Sequence, residues 1–140
     1  MTMNWRLCAL LSAFFAALTA ILGKVGVRGV NSNLATAVRV TVILLFSWGL
    51  VLATGATGQL RQWSARSWLF VALSGMATGL SWLFYFHALK LESASKVAPV
   101  DKLSVPMTIL LAVALLGEPL TWQTVLGGLL VVAGSLVLLL

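Results

Sequence analysis

Apolar residues fall into five long runs that short polar connectors separate. The runs cover approximately residues 7–22, 34–53, 68–89, 97–116 and 122–140. About 20 apolar residues in a helix, at 1.5 Å each, cross the roughly 30 Å hydrocarbon core of a bilayer. The pattern therefore predicts an all-α integral membrane protein, with five transmembrane helices in a single domain over residues 1–140.

The connectors are rich in residues that end helices. They read GKVGVRGVNSN at 23–33, TGATGQLRQWSARS at 54–67, KLESASK at 90–96 and GEPLT at 117–121. Pro119 prevents the fourth helix from continuing, because proline has no N–H and its ring clashes with the preceding turn. Connectors this short predict that consecutive helices are antiparallel neighbours.

The fourth run carries polar residues where hydrocarbon is expected. Asp101, Lys102 and Pro106 interrupt a stretch of Val, Leu, Ala, Ile and Met. Pro106 removes one backbone hydrogen bond and is expected to kink the helix. It is a candidate hinge.

Composition agrees with a membrane protein, since 61% of the residues are hydrophobic and 9% are charged. Soluble domains carry about 25% charged residues. The net charge of +6 is spread along the chain, mostly near helix ends, so it indicates topology anchors and not a nucleic-acid surface. With a single cysteine, Cys8, and a single histidine, we expect no intrachain disulfide and no transition-metal site.

The cations do not favour one orientation clearly. With five spans, the N-terminus and the 54–67 and 117–121 connectors share one membrane face, called face A, and the other connectors share face B. Face A carries Arg6, Arg61 and Arg66; face B carries Lys24, Arg28, Lys90 and Lys96, with Arg39 and Lys102 nearer its side. A clear Lys/Arg bias is needed to fix orientation. The pattern is compatible with a weak preference for face B on the cytoplasmic side, or with insertion in both orientations.

Polar side chains gather at one depth. Helices 2 and 4 both begin on face B, which puts Arg39 and Asp101 roughly 8–9 Å into the membrane. Helix 3 ends on the same side. The sequence predicts a polar vestibule, open to face B and lined by Arg39, Tyr85, His87, Asp101 and Lys102, with Trp82 nearer its floor. An ionisable residue inside a span costs at least about 2.5–3.5 kcal/mol and is by default a candidate functional residue.

We expect Asp101 to pair with Arg39 across helices 2 and 4, and not simply with Lys102. Adjacent helical residues point about 100° apart, and Lys102 can extend to the headgroups of face B. A purely structural Arg39–Asp101 pair is the alternative to a role in transport.

Four other polar residues have simpler interpretations. His87 is interpreted as a wet interfacial residue, with a proton relay as the alternative. Lys24 and Arg28 are interpreted as solvated anchors, with contacts to the substrate as the alternative. Glu118 is interpreted as a turn residue on face A, with a coupling carboxylate as the alternative.

The chain resembles the EamA-type family of the drug/metabolite transporter superfamily over essentially its whole length, most specifically at residues 83–139. They combine an aromatic-rich third helix ending in Ala-Leu, a Ser/Ala-rich turn, a proline within helix 4, a Gly-Glu turn and glycines in the last helix. The matching positions are Tyr85, Ala88, Leu89, Ser93, Ala94, Ser95, Pro106, Gly117, Glu118, Gly127 and Gly134. SNLATAVR places Arg39 at the family's helix 2 arginine, and VAPVDKLSV is similar to the single-repeat bacterial and archaeal branch.

This resemblance implies a multi-pass transporter of the inner membrane that moves small metabolites or similar solutes, often outward, without a cofactor. Ten-helix relatives contain two such repeats in opposite orientation, so a single repeat would pair with a second copy, most simply as an antiparallel homodimer. Insertion in both orientations requires that neither membrane face carries a clear excess of Lys and Arg, as is the case here. Two opposed vestibules would then flank a central cavity lined by Trp48, Trp82 and Phe84.

Two other function classes compete with the transporter. A non-transporting accessory or structural subunit would need a different partner chain and would insert in one fixed orientation. An intramembrane enzyme would need a nucleophile and a base within reach of each other, and His87 near Asp101 supports that weakly.

Overall fold

The computed structural model describes residues 4–140, and this part of the chain folds into helices without strands. The α-helices are α1 Trp5–Gly26, α2 Ser32–Ala53, α3 Ala65–Leu91, α4 Ala94–Asp101, α5 Ser104–Leu111 and α6 Trp122–Val137. A 3₁₀ helix, Ala56–Gln62, connects α2 to α3, and a π-helical turn, Ala112–Leu116, extends α5. The predicted all-α fold class is confirmed.

Among residues 4–140, four stretches are long and apolar enough to cross a membrane, namely α1, α2, α3 and the segment Ala94–Leu116. The helix α6 is apolar but shorter, with 16 residues. It ends at Val137, so the predicted fifth span extends past the helix. Most large apolar side chains of these helices are exposed, as expected for surfaces that face lipid.

Side-chain caps define where two of the helices begin. The Asn31 side chain accepts hydrogen bonds from the N–H groups of Asn33 at 2.9 Å and Leu34 at 3.3 Å, which starts α2. The Thr121 hydroxyl accepts one from the N–H of Thr124 at 3.3 Å, which starts α6. Each cap satisfies backbone donors that have no partner in the first turn of a helix. These helices therefore begin close to their predicted positions.

Contacts divide the chain into two units, which are described separately. One unit consists of residues 23–90, and the other combines residues up to Leu22 with residues 91–140. The expected single domain over residues 1–140 stays a prediction.

In the unit of residues 23–90, the end of α1 packs on the end of α3. The predicted turn was expected to begin at Gly23, but α1 continues to Gly26. A Cβ atom on Gly23 would lie 3.0 Å from Cε1 of Phe86, so the glycine lets the two helices approach closely. Val27 and Leu89 are fully buried beside this contact. The continuation of α1 therefore completes a small core.

Lys24 takes part in the same contact. Its Nζ donates a hydrogen bond of 2.6 Å to the backbone oxygen of Leu89, near the C-terminus of α3. The last carbonyl groups of a helix have no partner within it, and a cation there also interacts favourably with the helix dipole. The interpretation of Lys24 as a solvated anchor was wrong. Arg28 is exposed, in agreement with its interpretation.

In the other unit, the fourth apolar run is divided at Lys102 and Leu103. The N–H groups of these two residues bond to the carbonyls of Pro99 and Val100, three residues back, at 3.0 Å each. Pro106 has no N–H to offer Lys102, so the Lys102 oxygen instead accepts from Val105 at 2.9 Å. The break thus lies one turn before Pro106, where the missing bond is expected.

The helix α6 supports this divided segment. Both α4 and α5 contact α6. The Ser135 hydroxyl is buried and donates a hydrogen bond of 2.8 Å to the Pro99 oxygen. Pro99 lies inside α4, and the sequence analysis overlooked it as a second proline that weakens this segment.

Candidate functional site

Arg39 lies within α2 and is held by two aromatic rings of α3. Its guanidinium carbon lies 4.1 Å from the centroid of the Trp82 ring and 4.8 Å from that of the Phe86 ring. Trp82 and Phe86 are four residues apart, so they occupy the same face of α3 one turn from each other. We call Arg39, Trp82 and Phe86 the arginine cluster.

Stacking on the two rings stabilises the charge but leaves the N–H groups of the guanidinium to be satisfied. A cation–π contact contributes about 0.5–2 kcal/mol, depending on how dry it is, and uses the face of the aromatic ring. The Nη1 atom of Arg39 is buried and has no hydrogen-bond partner among the described residues. The arginine cluster therefore holds a cation whose donor groups are not all used.

Two further predicted residues lie near the end of α3. Tyr85 lies close enough to Arg39 for the two side chains to interact electrostatically. His87 is exposed, and its position is turned about 100° around α3 from that of Phe86. The structure thus brings Trp82 and Tyr85 to Arg39 and leaves His87 outside the cluster.

Asp101 and Lys102 lie at the break between α4 and α5. Lys102 Nζ is 3.4 Å from Asp101 Oδ2, with side-chain exposures of 55% and 35%. The expectation that these neighbours do not pair was wrong, because the helix ends here and the flexible lysine can fold back. An exposed pair of this kind contributes little to stability. The Arg39–Asp101 pair and the shared vestibule would join the two units, and both stay predictions.

Nearly the whole sequence matches one protein family. The EamA-like transporter family matches residues 3–140. The chain belongs to the EamA-like transporter family. A Sinorhizobium protein named as an uncharacterized transporter in the cobO 3' region is 50% identical over 138 residues, covering 99% of this chain and 98% of the relative. No solved structure matches the chain.

These similarities confirm the resemblance seen in the sequence and support a membrane transporter, not an enzyme. The described helices agree, because four stretches of this EamA-like protein can span a membrane. An integral membrane location follows from the family and from these helices. Which membrane it occupies stays a prediction.

Sequence reasoning overlooked one member of the arginine cluster in this EamA-like protein. Phe86 is buried and stacks on Arg39, yet it was treated only as part of an apolar run. The signal was the four-residue spacing from Trp82, which puts both rings on one face of α3.

Pro106 lies beside an apolar cavity and outside the arginine cluster. The cavity has a volume of about 310 Å³ and is lined by residues that include Pro106, Ile109, Thr124 and Gly128. Pro106 therefore has an open apolar surface next to it. Its role as a hinge stays a prediction.

Proposed function

We propose that this EamA-like protein exports small solutes by alternating access, as an antiparallel homodimer in the inner membrane. The arginine cluster is the observation that carries the proposal, with the Arg39 guanidinium 4.1 Å from the Trp82 ring centroid inside an apolar helix. Placing arginine in a span costs at least about 2.5–3.5 kcal/mol, so an intramembrane arginine is a functional candidate. Membership of a transporter family supports the same conclusion.

The homodimer is supported by the charges of the connectors. Similar numbers of cations on the two faces give little preference for one orientation, which permits two copies to insert oppositely. Two opposed copies of a repeat create a site near the midplane that can open to either side. Trp48, Trp82 and Phe84 are the side chains that we propose for its lining.

The divided fourth segment supplies a candidate moving part. The three-residue hydrogen bonds at Lys102 and Leu103 interrupt the regular helix between Asp101 and Pro106. Irregular backbone at membrane depth is tolerated where it is buried in protein or lines a water-filled cavity. We therefore place Asp101 and Lys102 beside the solute pathway, with Pro106 as the hinge.

Labelling of single cysteines tests the orientation. Cys8 is replaced with alanine, and one cysteine is introduced at Gly58 on face A or at Ser95 on face B. Both positions are exposed, and a Cβ at Gly58 meets nothing within 4 Å. In intact cells, an impermeant thiol reagent should label each site in about half of the molecules if insertion is dual. Labelling of only one face would contradict the antiparallel homodimer and favour an accessory subunit with a different partner.

Solute flux tests the transporter itself. Proteoliposomes preloaded with a mixture of small metabolites are compared with protein-free vesicles, and the external medium is followed by mass spectrometry. We expect release of particular solutes, strong loss of release in Arg39→Gln and Asp101→Asn, and normal release in Arg61→Gln. Arg61 is an exposed cation of the 3₁₀ connector and serves as the control. Unchanged flux in both test variants would contradict the assigned pathway.

A further inference from the structure

Acidic residues are unevenly distributed along this chain. Of its three carboxylates, none lies between residues 23 and 90; they are Glu92, Asp101 and Glu118. The charged residues of the unit 23–90 are all cations, namely Lys24, Arg28, Arg39, Arg61, Arg66 and Lys90. The unit that holds the arginine cluster therefore has no carboxylate of its own with which to neutralise Arg39.

The aromatic rings do not replace such a partner. A guanidinium has five N–H donors in its plane, whereas stacking on Trp82 and Phe86 uses the faces of the rings. Nη1 of Arg39 is buried and has no acceptor among the described residues. Leaving a charged donor without an acceptor is more costly than leaving a neutral one. Within residues 4–140, the cluster thus stacks on the guanidinium of Arg39 without giving its Nη1 atom an acceptor.

Two of the three carboxylates have close partners elsewhere. Asp101 Oδ2 lies 3.4 Å from Lys102 Nζ, and Glu92 accepts a hydrogen bond of 2.6 Å from the N–H of Ser93. Neither contact involves Arg39, and a bound anion is an alternative acceptor for its guanidinium.

We propose that Arg39 binds the oxyanion of the transported solute, a carboxylate or a phosphate group, and that the solutes are therefore small organic anions. This inference rests on the proposed transport function. The planar fork of N–H donors on arginine fits two oxygens of a carboxylate or phosphate at once. Arg39 is only half-buried, so part of its side chain remains open to a solute.

Thermal unfolding in an uncharged detergent tests the proposal without requiring transport. The full-length protein is heated in sodium acetate or sodium phosphate and compared with sodium chloride at the same ionic strength. A ligand that binds only the folded protein raises Tm as its concentration exceeds Kd. Wild type is compared with Arg39→Gln, with Arg39→Lys and with Arg28→Gln, which removes an exposed cation of the same unit.

We expect acetate or phosphate to raise the Tm of wild type and of Arg28→Gln by several degrees. The rise should disappear in Arg39→Gln. In Arg39→Lys, the apparent affinity should fall at least about tenfold, because lysine keeps the charge but loses the planar fork. Should Arg39→Gln fail to fold, the lysine variant still provides the comparison.

Several results would overturn the proposal. One is a wild-type Tm that responds to neither oxyanion, and another is an equal response in wild type and both Arg39 variants. A response only to added dihexanoyl phosphatidylglycerol would assign the site to a lipid headgroup. The stability losses of Arg39→Gln and Asp101→Asn could also prove non-additive in the double variant, with no effect of either oxyanion. That result would show that Arg39 pairs with Asp101 instead of binding an anion.

The flux assay separates this inference from the proposed function. Oxyanion binding at Arg39 without any solute flux would refute transport and keep the binding site. Flux that Arg39→Gln leaves unchanged would refute the binding site and keep transport.

Discussion

Replacing Ser135 with alanine should weaken the support that α6 gives to the divided fourth segment. The Ser135 hydroxyl is 4% exposed and donates a hydrogen bond of 2.8 Å to the oxygen of Pro99. The substitution removes one buried donor and leaves the rest of the side chain in place. It therefore tests a single contact between α4 and α6.

The size of the effect follows from what remains at Pro99. Its oxygen also accepts the N–H of Lys102 at 3.0 Å, so it keeps one partner after the change. Complete loss of partners for a buried acceptor costs about 1–3 kcal/mol. Hydrogen bonds between membrane helices average about 0.6 kcal/mol and reach about 1.7. We expect Ser135→Ala to lower the free energy of unfolding by about 0.6–1 kcal/mol.

Unfolding in mixed micelles with increasing mole fraction of SDS, followed by tryptophan fluorescence, measures this difference. Ser81→Ala is the matched control, because Ser81 is exposed on α3 and undergoes the same chemical change. We expect a change near zero in the control. Equal effects in the two variants would refute a role for the Ser135–Pro99 bond, and a loss of several kcal/mol would mean that more than one contact had been removed.

Further substitutions test three features, namely packing, a charge-assisted bond and a turn. Gly23→Ala should lower the free energy of unfolding by about 1 kcal/mol, because its Cβ would lie 3.0 Å from a buried phenyl ring. Gly26→Ala is the comparison, because its Cβ meets open space and should raise the free energy of unfolding by about 0.5–1 kcal/mol. Lys24→Met should cost about 1.5–3 kcal/mol, because it removes the 2.6 Å bond to the Leu89 oxygen. Gly117→Ala should cost about 1–2 kcal/mol, because the glycine follows the π-helical turn with φ of 69°. SDS unfolding measures all three.

Matched variants give these tests their controls. Arg28→Met removes an exposed cation close to Lys24 and should change stability little. Gly134→Ala adds a Cβ that meets nothing within 4 Å inside α6. If Lys24→Met and Arg28→Met behave alike, the contact with Leu89 has no energetic role. If Gly117→Ala and Gly134→Ala change the free energy of unfolding equally, a side chain at Gly117 does not strain its left-handed backbone.

Much of the fold could be predicted from the sequence, because long apolar runs have few alternatives in a bilayer. Backbone groups at membrane depth need internal partners, and a helix provides them along its whole length. The starts of α2 and α6 could also be predicted, since Asn31 and Thr121 are residues that cap helices. These features depend on local sequence.

Features that depend on contacts between helices were harder to predict. The extension of α1 to Gly26 depends on Phe86, which is far away in the sequence but packs against Gly23. The bond from Lys24 to Leu89 joins the same two regions, so the sequence indicated only a cation near a helix end.

The candidate site shows the same division between local and distant information. Arg39 could be identified as unusual because it is a charge within an apolar run. Its stacking on Phe86 was harder to identify, because it follows only from the four-residue spacing once Trp82 is assigned to the face of α3 that contacts Arg39. The pairing of Asp101 with Lys102 was missed for a different reason, since a continuous helix was assumed where the chain forms a turn.

The one-sided distribution of carboxylates also constrains how transport can be coupled to an energy source. If protons drive the cycle through a carboxylate, that group must be Glu92, Asp101 or Glu118, all of which lie outside the unit that holds Arg39. A carboxylate that took up the proton would then be a different part of the chain from the cation that binds the solute. Proton and solute would then bind different side chains and would not compete directly for one group.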